Sequence, residues 1–150
     1  MSVNTGDILA AIRKVGGDHL DLPFWEGTAQ QRFLLHRCGI CEKHYWPASR
    51  CLDHGDAAMA WVPASGLGEV HTYTIVHHAY SPRMAARVPY CVAVVKLAEG
   101  PFFHTNITGL PSQEVAVGLE VTVRYEQDED SGLTLPVFAP VAAAGAGELP

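Results

Sequence analysis

Apolar residues recur at helical spacing only near the start of the chain. Over residues 4–16, Ile8, Leu9, Ile12 and Val15 fall on one face, Asn4 or Thr5 supplies a cap, and Gly16-Gly17 ends the pattern, which predicts a short amphipathic helix. Its apolar stripe can pack on the chain's own core or on another protein. A second short helix is predicted over 23–31, with Pro23 in its first turn. Residues 32–37 then read as a strand. Beyond a polar stretch at 38–55 the helical period vanishes. Runs at 59–63, 69–78, 89–97, 102–108, 119–125 and 134–138 are β-rich and bounded by Gly, Pro, Ser or Asp. Within 69–77, Val70, Thr72, Thr74 and Val76 alternate with His71, Tyr73, Ile75 and His77, as on the two faces of one strand.

The closely spaced runs after Ser65 fit a small barrel better than a sandwich, with a five-stranded OB-type barrel as the first choice. The expected organisation is mainly β: an N-terminal helical arm at 1–31, a zinc ribbon at 32–62, the barrel at 63–140, and a flexible Ala/Gly-rich tail at 141–150.

Composition narrows the function classes. The chain has 150 residues, 48% of them hydrophobic and 17% charged, so it is apolar enough to build a core and to leave a face for a partner. Ten Lys plus Arg stand against sixteen Asp plus Glu, a formal net charge of −6. The basic residues are scattered singly, which argues against a nucleic-acid binder dependent on phosphate contacts. No run approaches the ~18–20 apolar residues of a membrane span, and the first residues lack the pattern of a signal peptide. The expectation is a cytoplasmic protein, where thiols serve more often as metal ligands or reactive groups than as disulfides.

Three of the four cysteines form a spaced set: Cys38-x2-Cys41-x9-Cys51-x2-His54. Each x2 pair can make a tight knuckle that aims two donors at one ion, and the intervening loop brings the knuckles together. Four N/S ligands imply tetrahedral zinc with no open position, hence a structural site. His44, His36 and Asp53 are alternative fourth ligands, though only His54 completes the second pair. Gly55 suits a positive φ after the last ligand, whereas Glu42 occupies the matching place after Cys41. Cys91, within an apolar run, reads as a core residue.

The polar stretch at 77–87 offers His77, His78, Tyr80, Arg83 and Arg87 to an anionic or acyl ligand, or to a partner. Asp128–Asp130 read as a solvated hairpin tip. Trp25, Trp46 and Trp61 flank the ribbon and are expected to cement it to the barrel. Motifs for a nucleophile elbow, a phosphate loop, a zinc protease or a dinucleotide fold are missing from the sequence, so no catalytic residue is assigned.

Taken in order, Pro23-Phe24-Trp25-Glu26-Gly27, Arg37-Cys38 with the ribbon ligands, Tyr45-Trp46-Pro47, the segment from Ser65 to Thr74, Val88-Pro89-Tyr90 and Thr134-Leu135-Pro136-Val137-Phe138 resemble the zinc-ribbon plus OB-fold proteins that accompany thiolase-like enzymes. The resemblance covers about residues 20–140, with His54 where many relatives carry a fourth cysteine. It implies a helical arm, a rubredoxin-like ribbon and an OB barrel. It also implies a non-catalytic subunit that forms a hetero-oligomer with a thiolase, acyltransferase or aldolase acting on acyl-CoA, orders that partner and shapes its acyl-CoA site. The residues at 77–87 would then lie against the acyl-CoA or the partner. Two other readings stay open: a ribbon/OB module for single-stranded nucleic acid, against which the net charge counts, and a stand-alone acyl-CoA-binding protein or enzyme using His77, His78 or Cys91.

Overall fold

The computed structural model describes residues 4–142. The tail expected at 141–150 therefore lies, from residue 143 on, outside the described residues. The element order is α1 (Thr5–Lys14), α2 (Leu22–Ala29), β1 (Leu34–Cys38), β2 (His44–Tyr45), β3 (Met59–Pro63), β4 (Leu67–Val76), β5 (Tyr90–Leu97), β6 (Phe102–Ile107), β7 (Glu120–Gln127) and β8 (Thr134–Pro140), with three 3-10 turns between them. Among the described residues no helix is long and apolar enough to cross a membrane.

The described residues divide into two compact units, one drawn from 4–65, Glu99–Pro101 and Tyr125–Pro136, the other from Gly66–Ala98, Phe102–Arg124 and 137–142. In the first, Asn4 caps α1: its side-chain oxygen accepts from the Gly6 amide at 2.9 Å. The apolar face of α1 packs within the chain, where Ile8, Ala11 and Ile12 are buried with Leu133 and are flanked by Leu22, Trp25, Ala29 and Leu135. β1 lies between β2 and β3 in a three-stranded antiparallel sheet. Phe24 of α2 is fully buried, its ring centroid 5.1 Å from Trp25, 5.8 Å from Phe33, 5.3 Å from Trp46 and 6.3 Å from Trp61. The tryptophans expected to join ribbon and barrel thus gather around α2 inside this unit, because ring packing around one phenylalanine buries apolar surface from several elements at once.

The turn at Asp128–Asp130 is a built hairpin tip, in which Asp128 accepts from the amide and hydroxyl of Ser131 at 3.0 and 2.6 Å.

Five strands form a closed barrel in the order β4-β5-β6-β8-β7, with a parallel contact between β6 and β8 at Ile107 and Phe138. Alternate residues of β5 point inward, so Cys91, Ala93, Val95 and Leu97 are buried. Cys91 is a core residue as expected, and burial pushes its thiol up from the ordinary value. The simple alternation expected along β4 is broken. A bulge between Val70 and Thr72 shifts the register, so that Val70 pairs with buried Val95 before it, whereas Tyr73 and Ile75 pair with buried Ala93 and Cys91 after it. An extra residue in a two-residue period exchanges the faces of everything beyond it.

Gly68 sits where β4 pairs with both β5 and β7. A Cβ there would lie 2.6 Å from Val95 Cγ1 and 2.7 Å from the Lys96 carbonyl oxygen. Gly68→Ala is expected to destabilise the barrel by about 1–3 kcal/mol, because a neighbouring backbone must move. An unchanged thermal midpoint in a Gly68→Ala variant would contradict this packing.

Candidate metal centre

One knuckle follows the end of β1, and the other is formed in the loop between β2 and β3. Cys38 closes β1, and its amide donates to the Lys43 carbonyl at 3.0 Å while the Glu42 amide donates to the Cys38 carbonyl at 2.9 Å. The second knuckle closes through a reciprocal pair between Cys51 and Gly55 at 2.9 and 3.0 Å. Gly55 takes the left-handed conformation at φ 70° as its position requires, and Glu42 takes it too at φ 65° although it carries a side chain. The Glu42 carboxylate meets the Arg37 guanidinium at 2.6 Å.

These turns bring Cys38, Cys41, Cys51 and His54 together, with all four candidate ligand atoms within 4.8 Å of one another. Cys41 Sγ lies 3.6 Å from Cys51 Sγ, and His54 Nδ1 lies 3.7 Å from Cys38 Sγ and 3.5 Å from Cys51 Sγ. A tetrahedral zinc with ordinary bond lengths has edges of about 3.8 Å between sulfurs and about 3.6 Å between sulfur and nitrogen. The donor set therefore fits that geometry, and the cluster can hold a metal ion. Cys38 and Cys51 are buried, Cys41 and His54 exposed.

The alternative fourth donors are placed elsewhere. His36 accepts from the Ser49 amide through Nδ1 at 2.9 Å, and burial lowers its pKa from the usual value. Asp53 faces Lys43 at 4.0 Å. His44 pairs with Arg37 across β2 and β1.

Sequence reasoning assigned no role to Tyr45. Its hydroxyl donates to Cys51 Sγ at 3.6 Å and accepts from the Leu52 amide at 3.3 Å. The Tyr45 hydroxyl, then the Asp53 amide and His54, hold the Cys51 thiol down at about 6 against the opposing effect of burial. The Ile40 amide likewise donates to Cys38 Sγ at 3.4 Å. Such outer contacts favour thiolate and orient it. Tyr45→Phe is expected to weaken metal affinity about tenfold with the fold intact, measured by chelator competition. Only the spacing Tyr45-x5-Cys51 could have signalled this, and that spacing is common.

The residues at 77–87 lie in the β4–β5 connection of the second unit. The His78 and Tyr80 rings meet edge to face at 4.8 Å, with Tyr80 77% exposed. Arg83 lies in the 3-10 turn Pro82–Ala86, and Arg87 caps its end.

Comparison with known proteins places this geometry. The family described as "ChsH2, C-terminal OB-fold domain" matches residues 61–126. A protein of Thermomonospora curvata named "Probable enoyl-CoA hydratase alpha subunit" is 35% identical over 132 residues, 87% of this chain. This chain spans only 40% of that curated relative's length. A "DUF35 domain-containing scaffold protein" of Methanocaldococcus jannaschii is 28% identical over 122 residues, covering 77% of this chain and 86% of its own. A solved structure described as "Ltp2-ChsH2(DUF35) aldolase" superposes with a TM-score of 0.72 at 31% identity, covering 82% of this chain and 95% of that one. With a ribbon of two x2 knuckles, a closed five-stranded barrel and this identity over nearly the whole of a solved relative, the chain belongs to the ChsH2-type OB-fold, or DUF35, family.

Proposed function

We propose that this chain is a non-catalytic accessory subunit of a thiolase-like enzyme acting on acyl-CoA thioesters, and that the Cys38/Cys41/Cys51/His54 cluster holds a structural zinc. The carrying observation is the likeness to almost the full length of a chain from an aldolase complex. The donor set supports the same reading. Four protein ligands fill a tetrahedral ion and leave no position for water or substrate, so zinc there would cross-link the knuckles rather than activate a reactant. The partner then carries the bond-making residues. The connection holding His77, His78, Tyr80, Arg83 and Arg87 is the surface proposed for the partner or the acyl-CoA, since it is a long exposed segment with mixed aromatic and cationic character.

A second reading follows from the Thermomonospora relative, named as a hydratase subunit. There the matched segment would serve a hydratase instead of a carbon–carbon lyase. Affinity purification of the tagged chain at low salt, with mass spectrometry of what is retained, separates the two. Near-stoichiometric recovery of a thiolase-like protein supports the first reading and recovery of a hydratase the second. A chain that turns over acyl-CoA alone, or binds oligonucleotides with strong salt dependence, overturns both.

A further inference from the structure

Closure of the barrel leaves β4 longer than the strand that closes on it. β4 has 10 residues, and on its β7 side only Leu67, Gly68 and Glu69 find strand partners. Val70 makes the last bonds on that side: its amide donates to the Leu119 carbonyl at 2.9 Å, and its carbonyl accepts from the Gly118 amide at 2.8 Å. At Gly118 the neighbouring chain turns, in the left-handed conformation at φ 89°. Beyond that point β4 pairs with β5 alone, Thr72, Tyr73, Thr74, Ile75 and Val76 facing Val94, Ala93, Val92, Cys91 and Tyr90. Among the described residues, 71–76 have no hydrogen-bond partner on the other side. An antiparallel ladder points alternate amides and carbonyls away from its neighbour, so this stretch offers an unused row of backbone donors and acceptors. The side chains of His71, Thr72, Tyr73 and Thr74 are all exposed. Free edges are commonly guarded by lysine, proline, inward charges or bulges. Here the bulge lies between Val70 and Thr72, where β4 leaves β7, and the residues after it run in regular register. From Val70 to Ser81 there is no Lys, Arg, Asp, Glu or Pro, and Thr72 to Val76 are all good strand formers.

What fits such a row is another extended strand, and the side chains beside it select which. A second β4, antiparallel and related by a two-fold axis at Thr74, places Thr74 opposite Thr74, Tyr73 opposite Ile75 and Thr72 opposite Val76. Threonine pairs and aromatic–β-branched pairs are favourable cross-strand combinations. Charge agrees: the chain carries a net −6, yet two copies meet here over a stretch without carboxylates, so neither repels the other at the edge. We infer that the free edge of β4 at 71–76 is a self-association surface, where two copies of this chain join their β4 strands around a two-fold axis. The edge engages far fewer than the about 20–30 residues a side of a standard interface, so the dimer forms and dissociates with concentration.

The test is sedimentation velocity of the full chain over a wide range of concentration. The expected result is a monomer–dimer equilibrium that moves toward dimer as concentration rises. Thr74 is exposed and pairs with Val92 on the outer face, so its replacement leaves the barrel core intact. Thr74→Lys and Thr74→Glu should each weaken the dimer about fivefold or more, because like charges then stand opposite one another, with thermal midpoint and metal content unchanged. An equimolar mixture of the two variants should recover the dimer, since unlike charges then face across the axis. That recovery separates loss of pairing from loss of folding. A chain that stays monomeric at every concentration would overturn the inference. So would a dimer undiminished in both variants, or a mixture that recovers nothing. A monomeric chain whose Thr74→Lys variant no longer retains a co-purifying protein would give the edge to that partner's strand instead. The inference stands apart from the function proposed above: sedimentation of the isolated chain decides the one, and the identity of the retained protein decides the other.

Discussion

Replacing Cys51 by serine is expected to empty the metal centre and unfold the ribbon. Cys51 is buried, lies within 3.6 Å of both Cys41 Sγ and His54 Nδ1, and receives the Tyr45 hydroxyl. Serine offers a harder, shorter and far less acidic donor, so it loses one metal bond and leaves three ligands on a closed site. Metal binding in small knuckles supplies about 10–16 kcal/mol of apparent free energy at neutral pH. That is as large as the whole stability of a typical domain, about 5–15 kcal/mol. The β2 segment has two residues and the knuckles are short turns, so little apolar burial remains to hold this part once the ion is gone. Elemental analysis should find less than one zinc per chain, and thermal unfolding should lose its cooperative transition or shift far down. Prolonged chelation of the unaltered protein should reproduce both effects. Cys91→Ser serves as the control: that thiol lies on β5 in the barrel core, and its replacement should leave the metal in place. A metal-free Cys51→Ser protein with an unchanged midpoint would defeat the structural-zinc reading.

The second large effect is expected at Phe24. Its side chain is 0% exposed and meets four aromatic rings, from Trp25, Phe33, Trp46 and Trp61. Phe24→Ala removes the ring on which helix α2 and the ribbon converge. The surrounding rings are large and fixed on different elements, so they cannot all close the space. Loss of about 3–5 kcal/mol is expected, the range for deleting a buried aromatic ring, with a fall in midpoint of about 10 °C or more. Because all the tryptophans line this cluster, fluorescence follows the change directly. Phe24→Leu fills most of the volume and should cost clearly less. Equal midpoints for Phe24→Ala and the unaltered chain would mean that the cluster carries no stability.

Much of this architecture is legible in the order of residues alone. The paired x2 spacing points to a metal knuckle because the geometry that aims two donors at one ion is local, set by three or four consecutive residues. The barrel strands are legible for a related reason, since a half-buried strand writes its period into consecutive positions, and 59–63 in the ribbon likewise coincides with β3. Asn4 announces the start of α1, and Gly55 announces its left-handed turn. Glu42 shows the limit of such rules: the same backbone turn forms without glycine, held by a knuckle whose hydrogen bonds over-determine it.

What the tertiary structure decided is of another kind. Sequence left His36, His44, Asp53 and His54 in competition for one position, and only the fold places His54 Nδ1 beside the sulfurs while giving the His36 nitrogen to the Ser49 amide. The bulge in β4 exchanged its inward face after Val70, a single inserted residue that no pattern of alternation announces. The tryptophans assembled around Phe24, and Leu20, His36, Arg50, Asp56 and Trp61 came to one cavity from separate stretches of chain. Local pattern determines elements and tight turns because their energies depend on neighbours in sequence; sites whose members are far apart in sequence exist only once strand pairing and packing have chosen which distant side chains meet.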